Sequence, residues 1–176
     1  MTTVGAGVAL PTVARPRTGG VSLDAAFRSL GPAVQGYLRA AGAHDSEELL
    51  GDVFVRVARG LHRFRGDESD LRRWVFTIAY RSLVDEHRRR TRDARLLRRS
   101  RPTDVPAPDE PFDPALVRAL RELTPDQREV VTLRFVADLP LDEVARITGR
   151  PTGAVKSLQH RALRQLAQLL GPPAPT

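Results

Sequence analysis

The sequence predicts an all-α protein of two small helical domains joined by an acidic, Pro-rich linker, and three observations predict it. Apolar residues recur at helical spacing through most of the chain, and no β-alternating run of useful length appears. A Pro-rich acidic stretch also divides the pattern past its middle. The 176 residues exceed one minimal domain and suit two compact units of about 50 to 90 residues each. No internal repeat is present.

Residues 1–21 mix Gly, Pro and Thr without periodicity and read as a disordered leader. Leu23, Phe27, Leu30, Val34 and Leu38 then form one helical stripe, with Ser22 as N-cap and Gly42 beyond the far end. Pro32 marks a break or kink within it. A second helix starts near Asp45, where Asp45 and Glu48 have capping-box spacing, and Leu50, Phe54, Val57 and Leu61 continue its apolar face. Residues 63–70 read as a polar loop around Gly66. A third helix covers residues 71 to about 92, with Trp74, Val75, Ile78, Ala79, Leu83 and Val84 on its apolar side. Its end is strongly basic: residues 81–101 hold nine Arg against Asp85, Glu86 and Asp93, a net charge of +6.

The next segment reverses sign. Residues 102–114 contain five prolines, four acids and no base, the composition of an extended linker. It separates a first unit, residues 22–101, from a second, residues 115–170. In the second unit, residues 115–123 form an amphipathic helix. Thr124-Pro125-Asp126-Gln127 opens another with an N-cap, a proline at the first helical position and Gln in capping-box register. Val130, Val131, Leu133 and Phe135 supply its buried side. Residues 140–148 make a short helix, 149–151 a turn, and 152–170 the last helix; residues 171–176 form a Pro-rich tail.

Composition narrows the function classes. The 28 basic residues, of which Lys156 is the one lysine, exceed the 21 acids and give a net charge of +7, which suits a polyanionic partner. Part of that excess also fits the Arg, Ala, Gly and Pro bias of a GC-rich genome, so the position of the charge decides its meaning. The absence of cysteine removes disulfides, thiol nucleophiles and thiolate metal sites, and agrees with a reducing cytoplasm. Four scattered histidines make no ligand cluster. The apolar stretch before Ala14 lacks a basic flank and is interrupted by Pro11, which argues against a signal peptide. No apolar run reaches transmembrane length, so membrane insertion is not expected.

Residues 139–170 have the parts of a helix-turn-helix: a short apolar-faced helix, a tight turn, and a second helix whose start carries polar side chains. Val144, Ile147, Val155, Leu163 and Leu166 are placed to hold the two helices together. Lys156, Ser157, His160 and Arg161 project from the second helix, where they have the donors needed for guanine edges and phosphates. The N-terminus at Thr152 and Gly153 offers backbone N–H groups to a phosphate. A helical hairpin with a solvated basic face is the competing reading of this segment alone.

The wider sequence resembles a known family. Leu123-Thr-Pro-Asp-Gln-Arg-Glu-Val-Val-Thr-Leu-Arg-Phe, Leu139-Pro-Leu-Asp-Glu-Val-Ala-Arg-Ile-Thr-Gly and Gly153-Ala-Val-Lys-Ser are similar to domain 4 of the extracytoplasmic-function (ECF) sigma factors of bacterial RNA polymerase, with an actinobacterial cast. Asp45-Ser-Glu-Glu-Leu-Leu-Gly-Asp-Val-Phe resembles the domain 2 helix that grips the β′ clamp. Arg63-Phe-Arg-Gly-Asp with Leu71-Arg-Arg-Trp-Val-Phe-Thr-Ile-Ala resembles the segment that captures the −10 promoter element. The resemblance implies a factor that binds core polymerase through the β′ clamp and the β flap and directs initiation from −10 and −35 elements, with promoter DNA and an anti-sigma factor as further partners. It implies no catalytic residue, metal or cofactor.

Residue by residue, it places Lys156, Ser157, His160 and Arg161 at −35, and Glu48, Asp52 and Arg56 against the polymerase. Asp67, Ser69, Asp70, Trp74, Arg81 and Arg88 fall in or beside the −10 segment. The chain departs from the family at three places. Gly51 stands where a Gln is common, Arg81 where an Asn is frequent, and Leu158-Gln159 where Arg-Leu is usual, so Gln159 either faces DNA or is merely solvated. Trp74 either stacks on an unpaired base or, the favoured reading, packs in the core. Asp67, Ser69 and Asp70 either meet the edge of a flipped base or form an exposed polar loop. Arg81 sets base preference, touches phosphate, or is solvated, and the run from Arg88 onward tracks phosphates. Two other classes compete: a regulator that uses only the C-terminal helix-turn-helix, which leaves residues 23–101 unexplained, and a nuclease-like enzyme with metal on Asp67, Glu68 and Asp70, for which one loop cluster is poor support.

Overall fold

The computed structural model describes residues 21–97 and 113–171. The expected leader, nearly all of the acidic linker and the tail, together with the last arginines of the basic run, lie outside the described residues. Seven α-helices follow in order: α1 (Leu23–Ala41), α2 (Ser46–Leu61), α3 (Glu68–Leu97), α4 (Pro114–Arg121), α5 (Pro125–Val131), α6 (Leu141–Thr148) and α7 (Thr152–Leu170). A π-helical turn, Thr132–Val136, continues α5. No strand occurs among the described residues, and the chain is all-α.

The helix ends are set by local chemistry. Ser22 Oγ accepts the Ala25 N–H at 3.1 Å, and Gly42 closes α1 with a left-handed φ of 91° that costs glycine nothing. Pro32 sits inside α1 without ending it. The Asp45 carboxylate accepts the N–H groups of Glu47 and Glu48 and starts α2. The third helix differs from expectation at both ends, running from Glu68 rather than Leu71 and on to Leu97. Its early start has a clear cause: Asp67 Oδ1 accepts the Asp70 N–H at 2.9 Å while Asp70 Oδ2 accepts the Asp67 N–H at 3.1 Å. Gly66 permits that reciprocal cap, because a Cβ there would stand 2.6 Å from the Asp70 Cβ. The expected capping box at Thr124 and Gln127 is present in full.

Helices α1 to α3 pack into one unit and α4 to α7 into another, yet the two share a core. Val34, Tyr37, Val53, Val57, Val75 and Phe76 from the first lie in one apolar cluster with Val130, Leu133, Leu139, Val144 and Val155 from the second. Tyr37 and Phe76 meet edge to face, 5.7 Å between centroids, inside it. A smaller cluster of Ala40, Leu120, Leu123, Val131 and Ala162 ties α4 and α7 to the end of α1.

Four residues of the expected apolar faces are exposed: Leu23 and Phe27 at the start of α1, Phe135 and Leu163. Phe135 is 53% exposed, because the π-helical turn takes an extra residue and rotates it outward, where the Arg134 guanidinium lies over its ring. Leu163 is 41% exposed: the inward stripe of α7 runs Val155, Leu158, Ala162 and Leu166, and Leu163 falls at its edge.

Candidate nucleic-acid interface

The helix-turn-helix is formed by α6, a turn at Gly149 to Pro151, and α7. Gly149 takes a left-handed φ of 68° to end α6. Arg150 then anchors the turn from outside it, with Nη2 and Nη1 donating to the Asp126 carboxylate at 2.8 and 3.3 Å and Glu129 3.9 Å away. That anchor was not anticipated; its partner is 24 residues distant in sequence.

With the turn fixed, α7 presents Lys156, Ser157, His160 and Arg161 to solvent. Arg164, one turn past His160 on the same face, joins them and was missed, although its i+4 spacing signals it. No acid occurs on α7, so the face is uniformly basic. The helix carries no side-chain N-cap, and Thr152 and Gly153 are exposed, which leaves first-turn N–H donors for a phosphate. Gln159 differs from this group in exposure. It is half-buried and its Oε1 is buried without a hydrogen-bond partner.

The residues around α3 divide differently. Asp67, Ser69 and Asp70 are brought together, but as the cap of α3: Ser69 Oγ donates to Asp67 Oδ1 at 2.9 Å, and Asp70 also pairs with Arg73. Hydrogen bonds from the Asp70 and Ser69 amide and hydroxyl groups hold the Asp67 carboxyl below its usual range. Trp74 is half-buried and stacks on Phe64, 5.4 Å between centroids, which agrees with the packing reading. It also rests on Gly60, where a Cβ would come within 2.7 Å of the ring. Arg81 is exposed and lines a cleft of about 320 Å³ with Asp70, Arg73, Trp74 and Thr77 from α3 and Glu143 and Arg146 from α6. Arg88 is exposed further along, on an open basic groove with Arg89, Arg92 and Arg56.

On α2, Glu48 and Asp52 are exposed on one face, and Gly51 beside them leaves it bare, with nothing within 4 Å of a Cβ placed there. Val55 and Phe27 add exposed apolar surface next to it. Arg56 is exposed yet engaged, its Nη1 donating to Ser82 Oγ at 3.0 Å with Asp85 at 3.8 Å. Among the described residues no group of acidic and histidine side chains is placed to hold a metal, and no helix is long and apolar enough to cross a membrane.

A basic, exposed helix on a pinned turn, joined to a three-helix unit whose last helix is Arg-rich, has the form of a two-part nucleic-acid-binding protein. The comparisons narrow this further. Residues 26–93 match Sigma-70 region 2 and residues 119–168 match Sigma-70, region 4. The chain is 32% identical to the RNA polymerase sigma factor CarQ of Myxococcus xanthus, over 82% of this chain and 87% of that protein. It is 31% identical to the ECF RNA polymerase sigma factor RpoE of Cereibacter sphaeroides, over 81% of this chain and 82% of that one. It is also 38% identical to the ECF RNA polymerase sigma factor BldN of Streptomyces coelicolor, over 76% of this chain but about half, 54%, of that protein. The chain belongs to the ECF sigma factors of bacterial RNA polymerase, the class that directs promoter recognition. Its fold is similar to that of the sigma factor RpoE from Bartonella quintana, solved with the anti-sigma factor NepR. The two align with a TM-score of 0.71 at 24% identity, covering 82% of this chain and 93% of that one.

Proposed function

We propose that this sigma factor works in the cytoplasm, docking on core RNA polymerase through the β′ clamp at the α2 face of Glu48 and Asp52 and through the β flap at its second unit. There α7 reads the −35 element with Lys156, Ser157, His160 and Arg161, helped by the N–H groups at Thr152 and Gly153. The α3 segment takes the −10 element, with Trp74 and Arg81 nearest the melted strand and Arg88 on the phosphates. Asp67, Ser69 and Asp70 hold the start of α3 in place for this. Strand opening follows from trapping unpaired bases and involves no bond-making chemistry at the protein. An anti-sigma factor is a further partner, in keeping with the complex formed by the Bartonella protein.

The observation that carries this reading is the acid-free, exposed basic face of α7 on a turn pinned by Arg150. Transcription in vitro with core polymerase on genomic DNA, with mapping of start sites, tests it and supplies the promoter sequence. Asp52→Arg reverses the charge of an exposed side chain on α2, so it leaves the fold intact and abolishes holoenzyme formation on a gel-filtration column. A holoenzyme that forms unchanged would contradict the docking face.

A further inference from the structure

Among the described residues, the hydrogen bonds that tie the turn of the helix-turn-helix to α5 all come from Arg150. Local chemistry fixes this turn weakly. Neither α6 nor α7 has a side-chain N-cap, and nothing lies within 4 Å of a Cβ placed on Gly149. The Arg150 N–H donates to the Ala145 carbonyl at 3.0 Å, which holds its backbone to the end of α6. Its side chain then runs to α5, where Nη2 and Nη1 meet the two oxygens of the Asp126 carboxylate at 2.8 and 3.3 Å. A guanidinium fork on a carboxylate fixes direction as well as distance. The Arg150 Nε is buried without a hydrogen-bond partner. That unmet donor costs stability, and the turn carries it while both Nη atoms stay on Asp126.

We propose that Asp126 is a positioning residue for the −35 element: through Arg150 it holds the start of α7 at the angle that brings Ser157, His160 and Arg161 to the bases, without touching DNA itself. The inference rests on the −35 assignment made above. Asp126 is the second residue of α5 and lies outside the helix-turn-helix. Its side chain is 53% exposed, and an exposed acid ordinarily weakens binding to DNA by repelling phosphates. An ion pair between partly exposed side chains also adds little to stability. Its effect is on orientation instead. Thr152 starts α7 two residues past Arg150, and Ser157, His160 and Arg161 follow within roughly three turns. A tilt at the turn therefore moves all of them, whereas side chains that read a partner have to be held within about 0.5 Å. Base contacts carry the sequence dependence and phosphate contacts carry none. Loss of the strut therefore removes discrimination before it removes general affinity for DNA.

The test uses holoenzyme made with the full chain. Affinity is measured on a promoter duplex with its −35 element intact and on one with that element scrambled, the sequence being taken from the mapped start sites. Asp126→Asn removes the charge and keeps the shape of the side chain, and Arg150→Ala removes the other half of the contact. Each is expected to lower affinity for the intact duplex by about fivefold and to leave the scrambled duplex within about twofold. The double variant is expected to bind no more weakly than either single one, since both act through one contact. For Asp126→Asn the expected sign is opposite to that of simple electrostatics, in which removal of an acid tightens binding to DNA. Unchanged or tighter binding of the intact duplex by this variant overturns the proposal. An equal loss on both duplexes overturns it as well, because a damaged fold lowers both together. Losses that add in the double variant show that the two residues act separately, and overturn the strut. A parent holoenzyme that binds the two duplexes alike overturns the −35 assignment itself, whatever the variants do.

Discussion

Glu129 of α5 accepts a hydrogen bond from Tyr80 of α3 and lies 3.9 Å from Arg150. Burial pushes its carboxyl up from the ordinary glutamate range, and the Tyr80 hydroxyl and Arg150 guanidinium only partly offset this, with Asp126 adding to the rise. Tyr37 of α1 feels the same carboxylate; burial first, and Glu129 second, raise that phenol well above its usual value. Tyr80 rises to about 12 for the same two reasons. A carboxyl whose folded value is raised binds its proton more tightly in the folded chain. Its favourable contribution is complete below the ordinary glutamate range, and it is lost as pH rises through the raised value. Glu129→Gln removes the titration. Urea unfolding across acid to neutral pH should show the parent losing stability relative to this variant as pH climbs through that window, and a parallel pair of curves would contradict it. Asp67 has the opposite sign: its carboxyl is lowered, so the stability from its cap is present above the ordinary aspartate range and is lost as pH falls through the depressed value.

At the scale of the element, what the sequence made legible was whatever local chemistry controls. Ser22, Asp45 and Thr124 cap helices where their spacing predicts, and α7 spans the expected residues. The start of α3 looks like loop in the sequence, because a Gly followed by Asp, Glu, Ser and Asp has the composition of a loop, and an Asp–Asp reciprocal cap falls outside the usual Ser/Thr with Glu/Gln pattern. The π-helical turn had no signal at all. Its bonds, such as Ala137 N–H to the Thr132 carbonyl at 3.0 Å, leave an amphipathic stripe that resembles an α-helix until Phe135 turns outward. The contact of α2 with α3 was equally hidden, since nothing in the sequence says that Gly60 must stay bare for Trp74. A Cβ at residue 60 would lie 2.7 Å from the indole, so Gly60→Ala forces these helices apart or turns the ring, at about 1 to 3 kcal/mol. Trp74 is the one tryptophan, and its emission should shift to the red in this variant as the ring leaves Phe64. An unshifted spectrum with unchanged stability would show that the helices absorb the methyl group freely.

Over the whole molecule, the sequence marked where the chain divides but not that the divided parts close on each other. The reversal of charge after residue 101 separates two units, whereas the contact of Arg73 with Glu143 joins residues 70 apart through no spacing rule. The site was legible to a similar degree: the exposed face of α7 followed from helical periodicity, and the engagement of Arg56 by Ser82, or of Asp67 and Asp70 by one another, depended on packing. The shared core gives this closure a consequence for folding. Leu133 belongs to the second unit, yet it is fully buried in the cluster that contains Tyr37 and Phe76 of the first. If that cluster is a single cooperative unit, Trp74 fluorescence and total helix content unfold together in urea. Leu133→Ala should then cost about 2 to 5 kcal/mol and lower the midpoint seen by Trp74, although α3 itself is unaltered. Two independently stable units would behave otherwise: the variant would move a helix-content transition belonging to α4 to α7 and leave the Trp74 midpoint where it stands in the parent.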